Sequence, residues 1–309
     1  MSPLRPEIHA LLPEARQTIN RVARSFSLAA RLLPNQIRSD VELLYLVLRT
    51  LDDLVDVDVR AGGSTRDAAE RRIAAIEAWA SGEEIGATAA NAPEVSRELL
   101  ILDDLARRHP DLPRDAVHDF LAGMRADLAG PRISTDEEAT HYCYQVAGTV
   151  GRLMASMLGV APGHEREADR AARALGSAMQ RTNILRDIDE DLANGRVYLS
   201  AASLRAHHID SAATSGSTSL RDADRGELLR DEIARADAEY DEGLNGIRYL
   251  QHGGRSIRAA ALLYREILRQ IERDGLGARR PHRSVVGRAR KALLLLQALI
   301  SSGGSEARA

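Results

Sequence analysis

Residues 43–56 read Leu43-Leu-Tyr-Leu-Val-Leu-Arg-Thr-Leu-Asp-Asp-Leu-Val-Asp56. Leu and Val at most positions, with no glycine or proline, favour a helix over a turn or loop. At 3.6 residues per turn, Tyr45, Arg49, Asp52 and Asp56 follow one stripe, with Asp53 about 100° off its edge. Pro34 lies before this stretch and Gly62-Gly63 after it, so the pattern predicts a helix over 39–58. Carboxylates embedded in an apolar helix repel one another and require counter-charge. Arg49 supplies part of it. A hard divalent cation such as Mg²⁺, which takes one or two carboxylates plus waters and phosphate oxygens, is the natural remainder.

Outward from this helix the texture repeats. Helix formers dominate, and alternating runs of β-branched and aromatic residues are missing. A helix over 7–33 is interrupted near Pro13 and stopped by Pro34. Ser64 or Thr65 caps another reaching Ala80, and Pro93 and Pro113 stand where new helices start. Asp136 opens a helical segment to Leu158, and 164–194 forms a long helix ended by Gly195. The polar stretch 204–219 reads as a loop. Three more helices follow at 220–250, 256–274 and 285–300, the first two parted by Gly253 and Gly254. No repeat of fixed period is present. The pattern predicts one all-α domain over 1–300 and a small, polar, disordered tail at 301–309.

Composition narrows the function. Of 309 residues 44% are apolar but only 3% aromatic, so the core is aliphatic. The 42 basic and 45 acidic side chains leave a net charge of −3, without the basic excess of a nucleic-acid binder. Cys143 is the single cysteine, which excludes an internal disulfide framework and a cysteine-rich zinc site. It reads as a small packing residue. Residues 1–10 hold no continuous apolar stretch, so no signal peptide is expected. The apolar run at 292–300, broken by Gln297, falls far short of the roughly 20 residues a spanning helix needs. A cytoplasmic protein without a transmembrane segment is expected.

Asp-x-x-x-Asp spacing occurs five times, at Asp52/Asp56, Asp111/Asp115, Asp115/Asp119, Asp187/Asp191 and Asp237/Asp241, so the bare pair carries little. Context separates two of them. In Gln180-Arg-Thr-Asn-Ile-Leu-Arg-Asp-Ile-Asp-Glu-Asp191, the residues Gln180, Asn183, Asp187 and Asp191 recur at spacings of 3, 4 and 4 beside Ile184, Leu185 and Ile188. Amide oxygens and carboxylates together make an oxygen-rich face for a metal or phosphate, and Arg186 can grip phosphate through its fork. Two such stripes facing each other across a bundle would hold a metal-bridged diphosphate. Asp111/Asp115 straddles Pro113, and Asp237/Asp241 lacks a companion stripe and reads as a surface pair. Glu138-Ala-Thr-His141 has the spacing of di-iron bundles, which need two such pairs, and only one is present. No glycine-rich dinucleotide fingerprint or phosphate loop is found.

These motifs resemble those of the squalene and phytoene synthase family, the head-to-head prenyl transferases, from Arg24 to about Ile271. The resemblance lies in Arg24-Ser-Phe-Ser27, the Tyr45–Asp56 stretch, Tyr142-Cys-Tyr-Gln-Val-Ala-Gly-Thr-Val-Gly151, and Gln180–Leu199 with Gly195-Arg-Val-Tyr-Leu199. It implies an isoprenoid-synthase helical bundle around a central apolar tunnel and a Mg²⁺-dependent reaction on allylic diphosphates, with Mn²⁺ as a substitute. By the resemblance, Asp52, Asp56, Asp187 and Asp191 hold metal, with Asn183 assisting and Asp53 a further candidate. Arg24, Ser25, Arg49, Gln180 and Arg186 bind substrate, Tyr142 handles a proton or assists the leaving group, and Phe26, Tyr45 and Tyr198 line the site. The family also carries a C-terminal arginine. Arg279, Arg280 and Arg283 all stand near that place, and the sequence does not choose among them. Ser200 and Leu276 depart from the family's usual proline and aromatic.

The resemblance favours coupling of two geranylgeranyl diphosphates through a cyclopropyl diphosphate to phytoene, without NADPH. A C30 synthase using farnesyl diphosphate, a cyclase acting on one diphosphate, and a non-catalytic assembly factor are the alternatives. Prenyl diphosphates are the expected partners, with transient contact to a membrane surface. The sequence is silent on oligomeric state.

Overall fold

The computed structural model describes residues 2–22, 24–58, 64–83, 96–130, 132–209, 220, 223–278 and 282–300, without the side chains of 22, 24–26, 54–58, 64–66, 69, 128, 299 and 300. Among the described residues the structure is helical, and the only extended pairing is an isolated antiparallel bridge between Val160 and Leu250. The order is α1 (Pro6–His9), α2 (Leu12–Val22), α3 (Arg24–Ala30), α4 (Asn35–Asp58), α5 (Ser64–Ala80), α6 (Arg97–Arg108) and α7 (Arg114–Ala129). Then come α8 (Asp136–Cys143), a π-helical turn (Tyr144–Gly148), α9 (Thr149–Leu158), α10 (Glu165–Ala193) and α11 (Ala201–Ala206). The chain continues through α12 (Gly226–Gly246), a 3₁₀ turn (Ile247–Tyr249), α13 (Gly254–Arg273) and α14 (Arg288–Ile300).

Several boundaries differ from the sequence expectation, each for a local reason. Pro13 sits in the first turn of α2, where its missing N–H is harmless, and the break falls at Ala10–Leu11. The stretch 204–219 is not all loop. Ser200 Oγ accepts the Ser203 N–H at 2.9 Å, capping α11, and Leu204 is buried. The rest of that stretch beyond Ile209 lies outside the described residues, as do Gly62, Gly63, Pro93 and the 301–309 tail. α12 starts at Gly226 rather than 220, after an Asp224 side chain accepts the Gly226 N–H at 2.9 Å. α14 starts at Arg288, after a stretch without regular structure in which Ser284 and Val286 are buried. The 136–158 segment is helical throughout but carries one π turn.

Two aliphatic cores flank the centre of the molecule. The first gathers α1, α2, α4, α5, α6, α7 and α9 around Leu43, Leu44, Ile76, Leu102 and Leu121. The second gathers α8, α10, α12 and α13 around Cys143, Leu185, Ile233, Tyr240 and Leu268. Val146 of the π turn and Ile257 of α13 pack against both. A small third cluster joins α3, α13 and α14 through Ala29, Ala259, Ala260 and Ala298.

Candidate active site

α4 contributes its polar stripe where it passes α7. Arg49 Nη1 donates to Asp52 Oδ2 at 2.7 Å, and its other nitrogen reaches Asp53. Tyr45, one turn earlier, is half-buried, and its hydroxyl is pushed up to about 12 by burial and by the neighbouring Tyr264 of α13. The side chains of Arg24, Ser25, Phe26 and Asp56 lie outside the described residues.

α10 contributes the second stripe. Its back is held by buried ion pairs: Arg181 reaches Glu232 at 2.9 Å and Glu239 at 3.0 Å on α12, and Thr182 Oγ1 is 3.0 Å from the Tyr240 hydroxyl. With those neighbours turned toward α12, Gln180, Asn183, Asp187 and Asp191 share the opposite side. Asn183 Nδ2 donates to Gln180 Oε1 at 3.3 Å. Asp187 sits between two guanidinium groups, Arg186 Nε at 2.8 Å and Arg283 Nε at 2.9 Å. Of the three arginines near the C-terminus, Arg283 is the one described at the site, while Arg279 and Arg280 lie outside the described residues. Asp189 turns away to Arg225 at 2.8 Å.

α4 packs on α7 and α9, while α10 packs on the π turn, α9 and α12. Asp127 of α7 stands between them. The Tyr142 hydroxyl donates to both Asp127 oxygens at 3.1 and 3.2 Å, and Tyr198 donates to one at 3.2 Å. The two phenol rings stack with centroids 5.1 Å apart. Burial pushes Asp127 up to about 6, against the pull of the two phenols and of Arg196, with Asp52 adding to the rise. Burial also pushes Asp191 up to about 7, with Asp187 adding and Arg196 opposing. Asp127 therefore feels Asp52 on one side and Asp191 on the other. Tyr142 is held well above the ordinary phenol range by burial and by the Asp127 charge.

The sequence reading missed Asp127 and gave Arg196 no role. A signal existed for Asp127, which follows buried Phe120 and Met124 at spacings of 7 and 3 and so puts a charge on an apolar helix face. Arg196, though inside the Gly195–Leu199 motif, carried no such mark, while Tyr264 stands on the 256–274 helix, which the sequence offers as a lining element. Other features settle into structural roles. Glu138 completes a capping box, accepting from the Thr135 backbone at 3.3 Å, so the Glu-x-x-His spacing is used for capping. Ser200 caps α11 and donates to Asp136. Burial pushes the Cys143 thiol up to about 12, which makes it inert at neutral pH. Asp237 and Asp241 are taken by Arg265 at 2.7 and 2.6 Å, as a surface pairing requires.

Among the described residues no three His, Cys, Asp or Glu side chains are preassembled as a metal cage. The donors nevertheless suit a hard cation. All are carboxylate or amide oxygens, Mg²⁺ needs only one or two carboxylates when phosphate supplies the rest, and the raised Asp127 and Asp191 carboxyls would be relieved by positive charge.

Known proteins match this chain closely. The squalene/phytoene synthase family profile covers residues 19–290. The chain is 34% identical over 308 residues to a phytoene synthase of Thermus thermophilus, spanning 97% of this chain and 94% of that protein. It is 33% identical over 273 residues to a 15-cis-phytoene synthase of Synechococcus elongatus, spanning 84% and 83% respectively. In structure it resembles a dehydrosqualene synthase (TM-score 0.75, 24% identity, 96% of this chain and 97% of the other). It also resembles the squalene synthase HpnC of Alicyclobacillus acidocaldarius (TM-score 0.69, 24% identity, 88% and 97%). At those identities the structural likeness speaks for the fold.

Proposed function

Since the chain belongs to the squalene/phytoene synthase family, we propose that it couples two molecules of geranylgeranyl diphosphate head-to-head into phytoene, as one domain over residues 1–300. The carrying observation is the gathering of arginines and carboxylates from α4, α10 and the C-terminal segment around the Asp127–Tyr142–Tyr198 trio. The choice of the C20 substrate is supported by the phytoene synthases that match it along most of their length.

Arg49, Arg186 and Arg283 bind the diphosphates. Each rests on a carboxylate in this structure, so each is already aimed at the site. Gln180 assists at the same face, and Arg24 is a further substrate-binding candidate. Asp52, Asp56, Asp187 and Asp191, with Asn183 and Asp53, would hold Mg²⁺ or Mn²⁺. That ion, when bound, supplies positive charge to the departing diphosphate. Carbon–oxygen cleavage leaves an allylic cation, which the double bond of the second substrate attacks, and loss of a proton from the resulting cation closes the ring of a cyclopropyl diphosphate. A second ionisation, rearrangement and proton loss give the hydrocarbon. Asp127 holds the Tyr142 hydroxyl in place, and its proton affinity near neutrality suits it to take or return a proton through that phenol. Tyr45 and Tyr198, with Phe26 of the first motif, would offer cation-stabilising walls without a nucleophile.

The test is purified protein with Mg²⁺ and geranylgeranyl or farnesyl diphosphate, with and without NADPH, and identification of the hydrocarbon by mass spectrometry. Phytoene without NADPH is expected. A C30 product from farnesyl diphosphate in preference, or a monomeric cyclised product, overturns the substrate assignment, and no diphosphate release from either overturns the reading. Asp52→Asn and Asp187→Asn should each lower kcat by roughly 10²-fold or more. Asp237→Asn should stay near the parent rate.

A further inference from the structure

Residues 275–300 hold six basic side chains, Arg279, Arg280, Arg283, Arg288, Arg290 and Lys291, and no acidic one, in a chain of net charge −3. α14 closes this segment. Its inner face is set by buried Leu294 and by Ala298, which belongs to the alanine cluster of α3 and α13, with Leu295 packed against that cluster. A surface helix ordinarily turns polar residues the other way. Here the opposite side, at 100° per residue, is Ala289, Ala292, Leu293 and Leu296, all exposed. Leu293 and Leu296 are 45% and 53% exposed, and Val285 just ahead of the helix is 69% exposed. Leu32, the remaining large exposed hydrophobic among the described residues, follows α3, which shares the same alanine cluster. Arg288 lies on one flank of the stripe and is exposed, and Arg290 lies on the other, 2.9 Å from Glu266.

We infer that α14 is an interfacial helix that seats the protein on an anionic lipid surface, its leucine stripe in the acyl boundary and its basic flank at the headgroups. An apolar face bordered by arginine and lysine is the pattern of such helices. Each basic residue near an anionic surface adds to the attraction. A second copy is the poorer occupant, because a two-fold contact would set one acid-free basic segment against another. No described helix is long and apolar enough to cross a membrane, so this one lies along the surface. The position also has a consequence for the site. Arg283, five residues before α14, pairs with Asp187, so the lipid-facing helix and the diphosphate end of the site are linked through one short stretch of chain. A prenyl diphosphate partitioned into the bilayer would meet the site from that side. This last point rests on the proposed function, whereas the docking itself does not.

The full-length protein is tested by co-sedimentation with phosphatidylcholine vesicles, with and without phosphatidylglycerol, at low and high salt. Binding to the anionic vesicles that weakens with salt is expected. Leu293→Gln with Leu296→Gln should lower that partition by about tenfold or more. Arg288→Gln with Lys291→Gln, which spares the apolar stripe, should reduce anionic binding to the level of neutral vesicles. Both variants should retain the parent circular dichroism and turnover of detergent-dispersed substrate. Failure of the parent protein to sediment with anionic vesicles overturns the inference, as does binding undiminished from the parent's in either double variant. A parent dimer that the leucine variant dissolves, without vesicle binding, assigns the face to a second copy and also overturns it. Vesicle binding by a protein that turns over no prenyl diphosphate would overturn the proposed function and leave this inference standing.

Discussion

Asp191 holds its negative charge at a cost. Burial and the neighbouring Asp187 raise its carboxyl to about 7, from an unfolded value near 3.9. The folded chain therefore binds this proton more tightly than the unfolded chain does. The penalty is fully present above pH 7, fades as pH falls through 7, and is gone below the unfolded value. Asp191→Asn should consequently raise the midpoint of thermal unfolding at pH 8 in metal-free buffer by roughly 1–3 °C, and the gain should shrink towards pH 4. A variant destabilised equally at every pH would refute this account. The same substitution should abolish turnover, because the carboxylate that strains the fold is the one positioned for metal. Asp127 obeys the same sign at a lower pH, although two phenols and Arg196 partly compensate its burial. The stripe members Asp52, Asp187 and Asp191 were legible because their spacing is a property of one helix. Asp127 has no partner on its own helix and becomes significant only when Tyr142 and Tyr198 arrive from elsewhere.

Between α8 and α9 the π turn at Tyr144–Gly148 adds a wide turn to an otherwise regular helix, next to the tyrosine that serves the site. Its C-terminal end meets α10 at very close range. A Cβ on Gly176 would lie 2.2 Å from the Ala147 carbonyl oxygen, and one on Gly151 would lie 2.1 Å from that of Ala172. Backbone cannot yield as a flexible side chain would, so the helices must separate. Gly176→Ala should cost about 2–3 kcal/mol by chemical denaturation. It should also lower kcat, since it shifts the Asp187 stripe relative to Tyr142. Gly287→Ala, where an added Cβ meets nothing within 4 Å, should leave both unchanged. Glycine in this motif was visible in the sequence, but its partner on α10 was not, because a close approach is a relation between two helices.

The whole molecule places the site between two aliphatic cores, α4 and α7 anchored in one and α10 in the other. The first core also encloses a buried charge network. Arg108 bridges Asp40 and Asp104, with Nε 3.1 Å from Asp104, and His109 Nε2 donates to Asp40 at 2.8 Å. Removing the guanidinium leaves two buried carboxylates short of a partner, so Arg108→Met should cost about 3–5 kcal/mol in denaturant titration. Arg230→Ala, which breaks only an exposed pair with Glu227, should stay within about 0.5 kcal/mol of the parent. By itself the sequence determined the all-α class, most helices, the two carboxylate stripes and the basic, leucine-rich C-terminal segment. These depend on propensity, punctuation and the 3.6-residue period, which act within a few turns of chain. Only the tertiary structure decided that Asp127 joins the stripes, that Arg283 is the C-terminal arginine described on Asp187, and that Leu293 and Leu296 face outward. Which faces meet is set by side-chain packing between helices distant in sequence, and no local period encodes it.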